Sequence, residues 1–190
     1  MLMVKELPLG ERNNIRYCMT SQNVSEVENI FKKICGSNED LFILNIHLAV
    51  FFQEKNYELA MDEVTAAIDK FDRAEYRAYL ILRQGQISEF QGNFNGGLRF
   101  YYHTLAIGKW PLYVRYYLWN KIAFCWLLKQ KYKSAEMCYR KAIKLDPKRW
   151  NAWKSLGGSL ERRGKLIEAL QCYFQAILLF RRDREYIFHD

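Results

Sequence analysis

The chain has 190 residues, 50% apolar and 26% charged, a balance that excludes wholesale disorder and suits one or two folded domains. Its net charge of +8 is unevenly placed: residues 129–190 hold 15 Lys and Arg against 7 Asp and Glu, and residues 1–128 hold 14 of each. Only three prolines occur, which leaves room for long helices, because proline removes a backbone donor and clashes inside them.

Residues 1–20 show no period and are left unassigned; they lack the apolar run and small-residue cleavage site of a signal peptide. The first predicted element is a helix over 21–36, where Val24, Val27, Ile30, Phe31 and Ile34 recur at helical spacing. Ser25 and Glu28 have the spacing of a capping box, and Gly36 is a helix stop. This helix is expected to pack on the next element. The apolar run Leu41–Phe52 is too short to span a bilayer, and the expectation is a soluble cytoplasmic protein. Five cysteines, Cys18, Cys35, Cys125, Cys138 and Cys172, are scattered without paired spacing. They are expected to be reduced and packed as small hydrophobes, with neither a disulfide framework nor a zinc site.

A repeat emerges downstream. Trp119 and Trp153 lie 34 residues apart, and so do Ile122 and Leu156, Ala123 and Gly157, Ala135 and Ala169, Tyr139 and Tyr173, and Ala142 and Ala176. Trp153-Lys154-Ser155-Leu156-Gly157, the pair Ala169 and Tyr173, and the closing Leu145-Asp146-Pro147 resemble the tetratricopeptide-repeat (TPR) family, whose period is about 34 residues. The resemblance places repeats at 116–149 and 150–183, with weaker copies at 78–111 (Gly85, Gly92, Phe94, Gly97, Tyr101) and 41–74 (Leu44, Leu48, Phe51, Tyr57, Ala60, Ala67, Ile68). The starts at 41, 78 and 116 imply three and four inserted residues, assigned to the connecting turns. Residues 184–190 are read as a cap or tail.

The resemblance implies an all-α solenoid of antiparallel helix pairs wound into a right-handed superhelix, in which stacking builds a core that one repeat cannot bury alone. Small residues let paired helices approach: Ala123 with Ala135, and Gly157 with Ala169. Gly92 and Gly164 fall at the turn within a repeat, where a left-handed backbone is often needed.

The first helix of each repeat lines the concave face in this family. The resemblance implies a peptide-binding groove of Phe42, Asn45, Tyr79, Leu82, Arg83, Gln86, Tyr117, Asn120, Lys121 and Phe124. Exposed aromatic patches of this kind mark binding sites, and the polar members suit a peptide backbone or carboxylate. The competing reading is that the large apolar members are core. On the groove reading, Tyr79→Ala with Tyr117→Ala weakens a partner without unfolding the chain. The carboxylate clamp of heat-shock-chaperone binders is not expected: at its positions stand Asn45, Ala49, Arg83, Tyr117 and Lys121, and only the last keeps a cation where one is needed.

Catalytic, metal and cofactor chemistry is not expected. His47, His103 and His189 lie far apart in sequence, and there is no HExxH, phosphate-binding loop or GxSxG. The expected function is a protein–protein interaction module, a scaffold, adaptor or chaperone-like protein, that binds an apolar or amphipathic segment in the groove. The alternative is nucleic-acid or other polyanion binding through the basic C-terminal third, with Tyr132, Trp150 and Trp153 among the charges. Self-association through exposed apolar surface is the remaining partner class.

Overall fold

A computed structural model describes residues 39–187; the helix expected over 21–36 and the unassigned 1–20 lie outside the described residues. Among the described residues eight helices succeed one another: α1 Glu39–Glu54, α2 Tyr57–Ile68, α3 Ala74–Phe90, α4 Phe94–Ile107, α5 Leu112–Leu128, α6 Tyr132–Leu145, α7 Trp150–Glu161 and α8 Leu166–Ile187. No strand occurs among the described residues. The chain divides at Gln91 and Gly92 into two compact units, one holding α1 to α3 and the other α4 to α8.

In the first unit, α1 packs on α2 and α2 on α3. Leu41, Leu44 and Leu48 of α1 are buried, as are Ala60 and Val64 of α2. His47 and the Glu63 carboxylate are 2.6 Å apart and bridge α1 to α2, and the Gln84 amide of α3 donates to the Thr65 hydroxyl of α2 at 3.0 Å. In the second unit each helix packs on the next, from α4 through α8. Ala123 and Ala135 are both fully buried, consistent with their reading as close contacts. The Trp153 indole donates to the Pro147 carbonyl at 2.9 Å, and Arg149 pairs with Asp146 at 3.1 Å, so the Leu-Asp-Pro ending is tied to the helix it introduces.

The extra residues ahead of repeats two and three do not lengthen turns. Residues 75–77 and 112–115 are helical, which makes α3 and α5 17 residues long against 12 in α7. These residues contain no glycine or proline, and they supply Tyr76 and Val114 to the core. Pro111, just ahead of α5, is well placed because a helix start needs no donor there.

Every turn inside a helix pair uses one left-handed residue. Gly92 and Gly164 have φ near +75°, and Lys55 and Gln130 adopt φ of 56° and 58° at the matching places in the other two turns. A side chain in this conformation costs about 1–2 kcal/mol. Gln130→Gly is therefore expected to stabilise the chain by about 0.5–1 kcal/mol, after glycine's larger unfolded-state entropy is subtracted. Gly164→Ala is expected to cost about 1 kcal/mol from conformation alone, because a Cβ there meets nothing within 4 Å. Denaturant midpoints of the two variants should move in opposite directions.

Candidate functional site

The ten groove positions fall into two groups, one in each unit. In the first, Asn45 of α1 meets Tyr79 and Arg83 of α3, and Arg83 in turn holds Gln86. The Tyr79 hydroxyl donates to Asn45 Oδ1 at 2.6 Å, and Arg83 Nη2 donates to the same oxygen. Arg83 Nε donates to the Tyr79 oxygen at 2.8 Å and Nη1 to Gln86 Oε1 at 2.9 Å. Asn45 Nδ2 closes the set on the Leu41 carbonyl at 2.6 Å. The spacing 79, 83, 86 explains the meeting: residues three and four apart share a helix face. Phe42 lies in α1 with its side chain outside the described part.

Tyr79 is only 1% exposed, and Leu82 and Gln86 are buried with it. The expectation that alanine at Tyr79 leaves the fold intact is therefore corrected: its ring fills interior space and its hydroxyl bridges two helices. Tyr117, at 2% exposed, carries the same correction. The physical reason is that tyrosine is long enough to bury its ring while its hydroxyl reaches a polar partner at the rim.

In the second unit Tyr117, Asn120, Lys121 and Phe124 share one face of α5. Lys121 is buried, and its ammonium lies 5.9 Å from the Tyr117 ring centre and 6.0 Å from that of Phe124. Such placement over ring faces favours a cation. Phe124 is 37% exposed, and Leu128, one turn on, is exposed beside it. Asn120 is half-buried. An open apolar surface is thus presented by Phe124 and Leu128, with the polar residues next to it.

A third aromatic group belongs to the first unit. Phe90 is exposed, its ring 5.0 Å from Phe52 and stacked on Tyr57 at 6.0 Å. Phe52 and Phe90 lie near the ends of first helices, but Tyr57 opens the second helix of its pair, so a template limited to first helices passes over it.

Four cations of the basic C-terminal third, Arg140, Arg149, Arg163 and Lys165, are ion-paired. Glu136, itself buried, receives Arg140 Nε at 3.0 Å and also Arg163. Arg140 reaches Glu168 at 3.1 Å and Lys165 reaches it at 2.7 Å. The Lys165 hydrogen bond holds the half-buried Glu168 carboxyl below its ordinary value. The Trp150 ring packs edge-on against Phe180 at 5.1 Å. Burial raises the thiols of Cys138 and Cys172 above their ordinary range, which disfavours the reactive thiolate. A hollow of about 300 Å³ at the junction of α6, α7 and α8 contains Arg140 and Glu168, already paired with each other. Among the described residues no three His, Cys, Asp or Glu side chains gather as metal ligands, and no helix is long and apolar enough to cross a membrane.

Residues 138–171 match the tetratricopeptide repeat family model, in a frame that opens in α6 and ends in α8. No curated protein is significantly similar in sequence. Among solved structures, a crystal structure of MamA is 14% identical, covers 84% of this chain and 88% of its own, and superposes with a TM-score of 0.62. The MamA RS-1 ArsTM double mutant is also 14% identical, with 91% and 94% covered and a TM-score of 0.63. BtubC from P. vanneervenii is 11% identical, with 90% and 92% covered and a TM-score of 0.52. Identities this low speak for the fold alone. With the 34-residue period, the matched repeat and consecutive packed helices, they make this chain a protein of the tetratricopeptide-repeat fold.

Proposed function

We propose that the chain is a protein–protein interaction module, and that the α5 face built on Phe124 receives an apolar or amphipathic segment of another protein. The carrying observation is the exposure of Phe124 and Leu128 beside Asn120 and Lys121 on one helix face. Aromatic anchors flanked by polar groups supply affinity from the ring and orientation from the hydrogen bonds. Lys121 is a wall of this face, because its charge is already set against two rings. In the first unit, Phe90 with Phe52 and Tyr57 supports the same reading.

The pairing of Arg140, Arg149, Arg163 and Lys165 with carboxylates weighs against the polyanion reading, since each paired cation has less to offer a phosphate. The test is selection of peptides from a displayed random library by the intact chain and by Phe124→Ser. The expected outcome is a set of amphipathic sequences whose binding falls at least about tenfold in the variant, the size of a modest anchor. Both proteins should share one melting temperature. Selection of nothing, or of peptides indifferent to Phe124, sinks the assignment of this face. Binding to single-stranded nucleic acid that peptides do not displace would move the function to the basic third.

A further inference from the structure

Second helices of the pairs touch the following pair at one recurrent, exposed position: Thr65 of α2 accepts from Gln84 of α3, Tyr102 of α4 meets the Trp119 ring of α5 at 6.2 Å, and Arg140 of α6 reaches Glu168 of α8. The matching position in α8 is Phe174. Thirty-four residues separate Lys133 from Ile167, Glu136 from Leu170, Arg140 from Phe174 and Lys144 from Leu178. Four charged residues of α6 are thus replaced by four apolar ones in α8.

That apolar face is open. Ile167 is 77% exposed, Leu170 67% and Phe174 63%, and Leu166, Ile177 and Leu178 are exposed with them. At 3.6 residues per turn these six span an arc of about 120°. A continuous row of six large apolar side chains is more than the single exposed residues that need no explanation.

The row is also a palindrome. Leu166 and Leu178, Ile167 and Ile177, and Leu170 and Phe174 lie at equal distances from position 172. We infer that α8 pairs antiparallel with α8 of a second copy of this chain, about a two-fold axis level with Cys172. Leu170 then faces Phe174 of the other copy and Phe174 faces Leu170, the reciprocity that a closed two-fold interface requires. Leucine meets leucine and isoleucine meets isoleucine at the two flanks. Between Glu168 and Arg181 the helix carries no charge, so no like charges oppose one another across the row. Because each copy carries the same basic excess, screening favours the pair, and association strengthens as salt is raised. An acidic-flanked partner on the same face would weaken with salt instead.

Sedimentation of the full chain across a concentration series, at low and high salt, tests this. A dimer that stops at two copies and tightens with salt is expected. Leu170→Glu with Phe174→Glu should weaken it roughly 100-fold, as the loss of two central anchors does. Both positions are largely exposed, so the monomer should keep its circular dichroism and melting temperature. Leu170→Cys and Phe174→Cys, prepared separately and mixed under mild oxidation, should join 170 to 174 across copies in preference to 170 with 170. A chain that stays monomeric at high micromolar concentration overturns the inference, as does a dimer indifferent to the two glutamates. Assemblies that keep growing with concentration also overturn it, because they would mean that the face docks the first helix of the next copy.

Discussion

Alanine at Tyr79 is expected to remove about 4 kcal/mol of stability, within the range for deleting a buried aromatic ring. Two losses combine. The ring is interior, so its removal opens a cavity between α1 and α3. The hydroxyl both donates to Asn45 and accepts from Arg83, so its removal leaves partly buried polar groups short of a partner. Tyr79→Phe separates the two contributions. It keeps the packing and loses only the bridge, for about 1 kcal/mol. Urea unfolding of the three proteins, followed by circular dichroism, gives both numbers. If Tyr79→Ala unfolds at the same denaturant concentration as the parent, the ring is not holding the first unit together, and the groove reading of this residue returns. If Tyr79→Phe is as damaging as alanine, the hydrogen-bond bridge outweighs the ring.

Adjacent glycines of α7 are expected to respond in opposite directions. A Cβ on Gly157 would lie 2.7 Å from Cε1 of the Tyr173 ring, closer than carbon atoms approach without movement. Tyr173 cannot swing aside cheaply, because its hydroxyl donates to Glu161 at 2.6 Å. Burial first, and the Glu161 hydrogen bond and charge after it, raise its pKa to about 12. Gly157→Leu should therefore cost about 2–3 kcal/mol, the usual penalty for overfilling a close contact. The melting temperature should fall by roughly 5–10 °C in a chain of this size. At Gly158 the nearest atom to a new Cβ is the Tyr173 oxygen at 3.7 Å, an ordinary contact. Gly158→Ala should gain up to about 1 kcal/mol from helix propensity alone. In repeat three Ala123 stands at the matching position and is fully buried, so that repeat has room for the methyl that Gly157 lacks. An unshifted melting temperature for Gly157→Leu would mean that α7 and α8 can separate without cost.

The helical fold was legible because the repeat residues do physical work at fixed intervals. Ala123, Ala135, Tyr139, Leu156 and Ala169 are buried, and Gly92 and Gly164 take the left-handed backbone that their turns demand. Lys55 and Gln130 take it too, and nothing in their chemistry announces it; only the register with the two glycines does. The lengths of α3 and α5 were misjudged because inserted helix formers continue a neighbouring helix more readily than they make a turn. The ten expected groove positions lie on α1, α3 and α5, but position did not reveal exposure. Tyr79 and Tyr117 are interior while Phe124 is partly open, since accessibility depends on what the neighbouring elements cover. The apolar face of α8 was hidden for the opposite reason. Its residues look like core in a sequence, yet Ile167, Leu170 and Phe174 are exposed.

Packing between elements adjacent in the chain has a kinetic consequence. Within each unit the main contacts join one helix to the next, so few loops must close before a native contact forms. Topologies of that kind fold fast for their size. They also open in parts, because each pair is held chiefly by its immediate neighbours. Amide hydrogen exchange should therefore not reach one common limit. Protection should be graded along the chain, deepest where α5, α6 and α7 each pack on two described neighbours, and shallower where a helix packs on one.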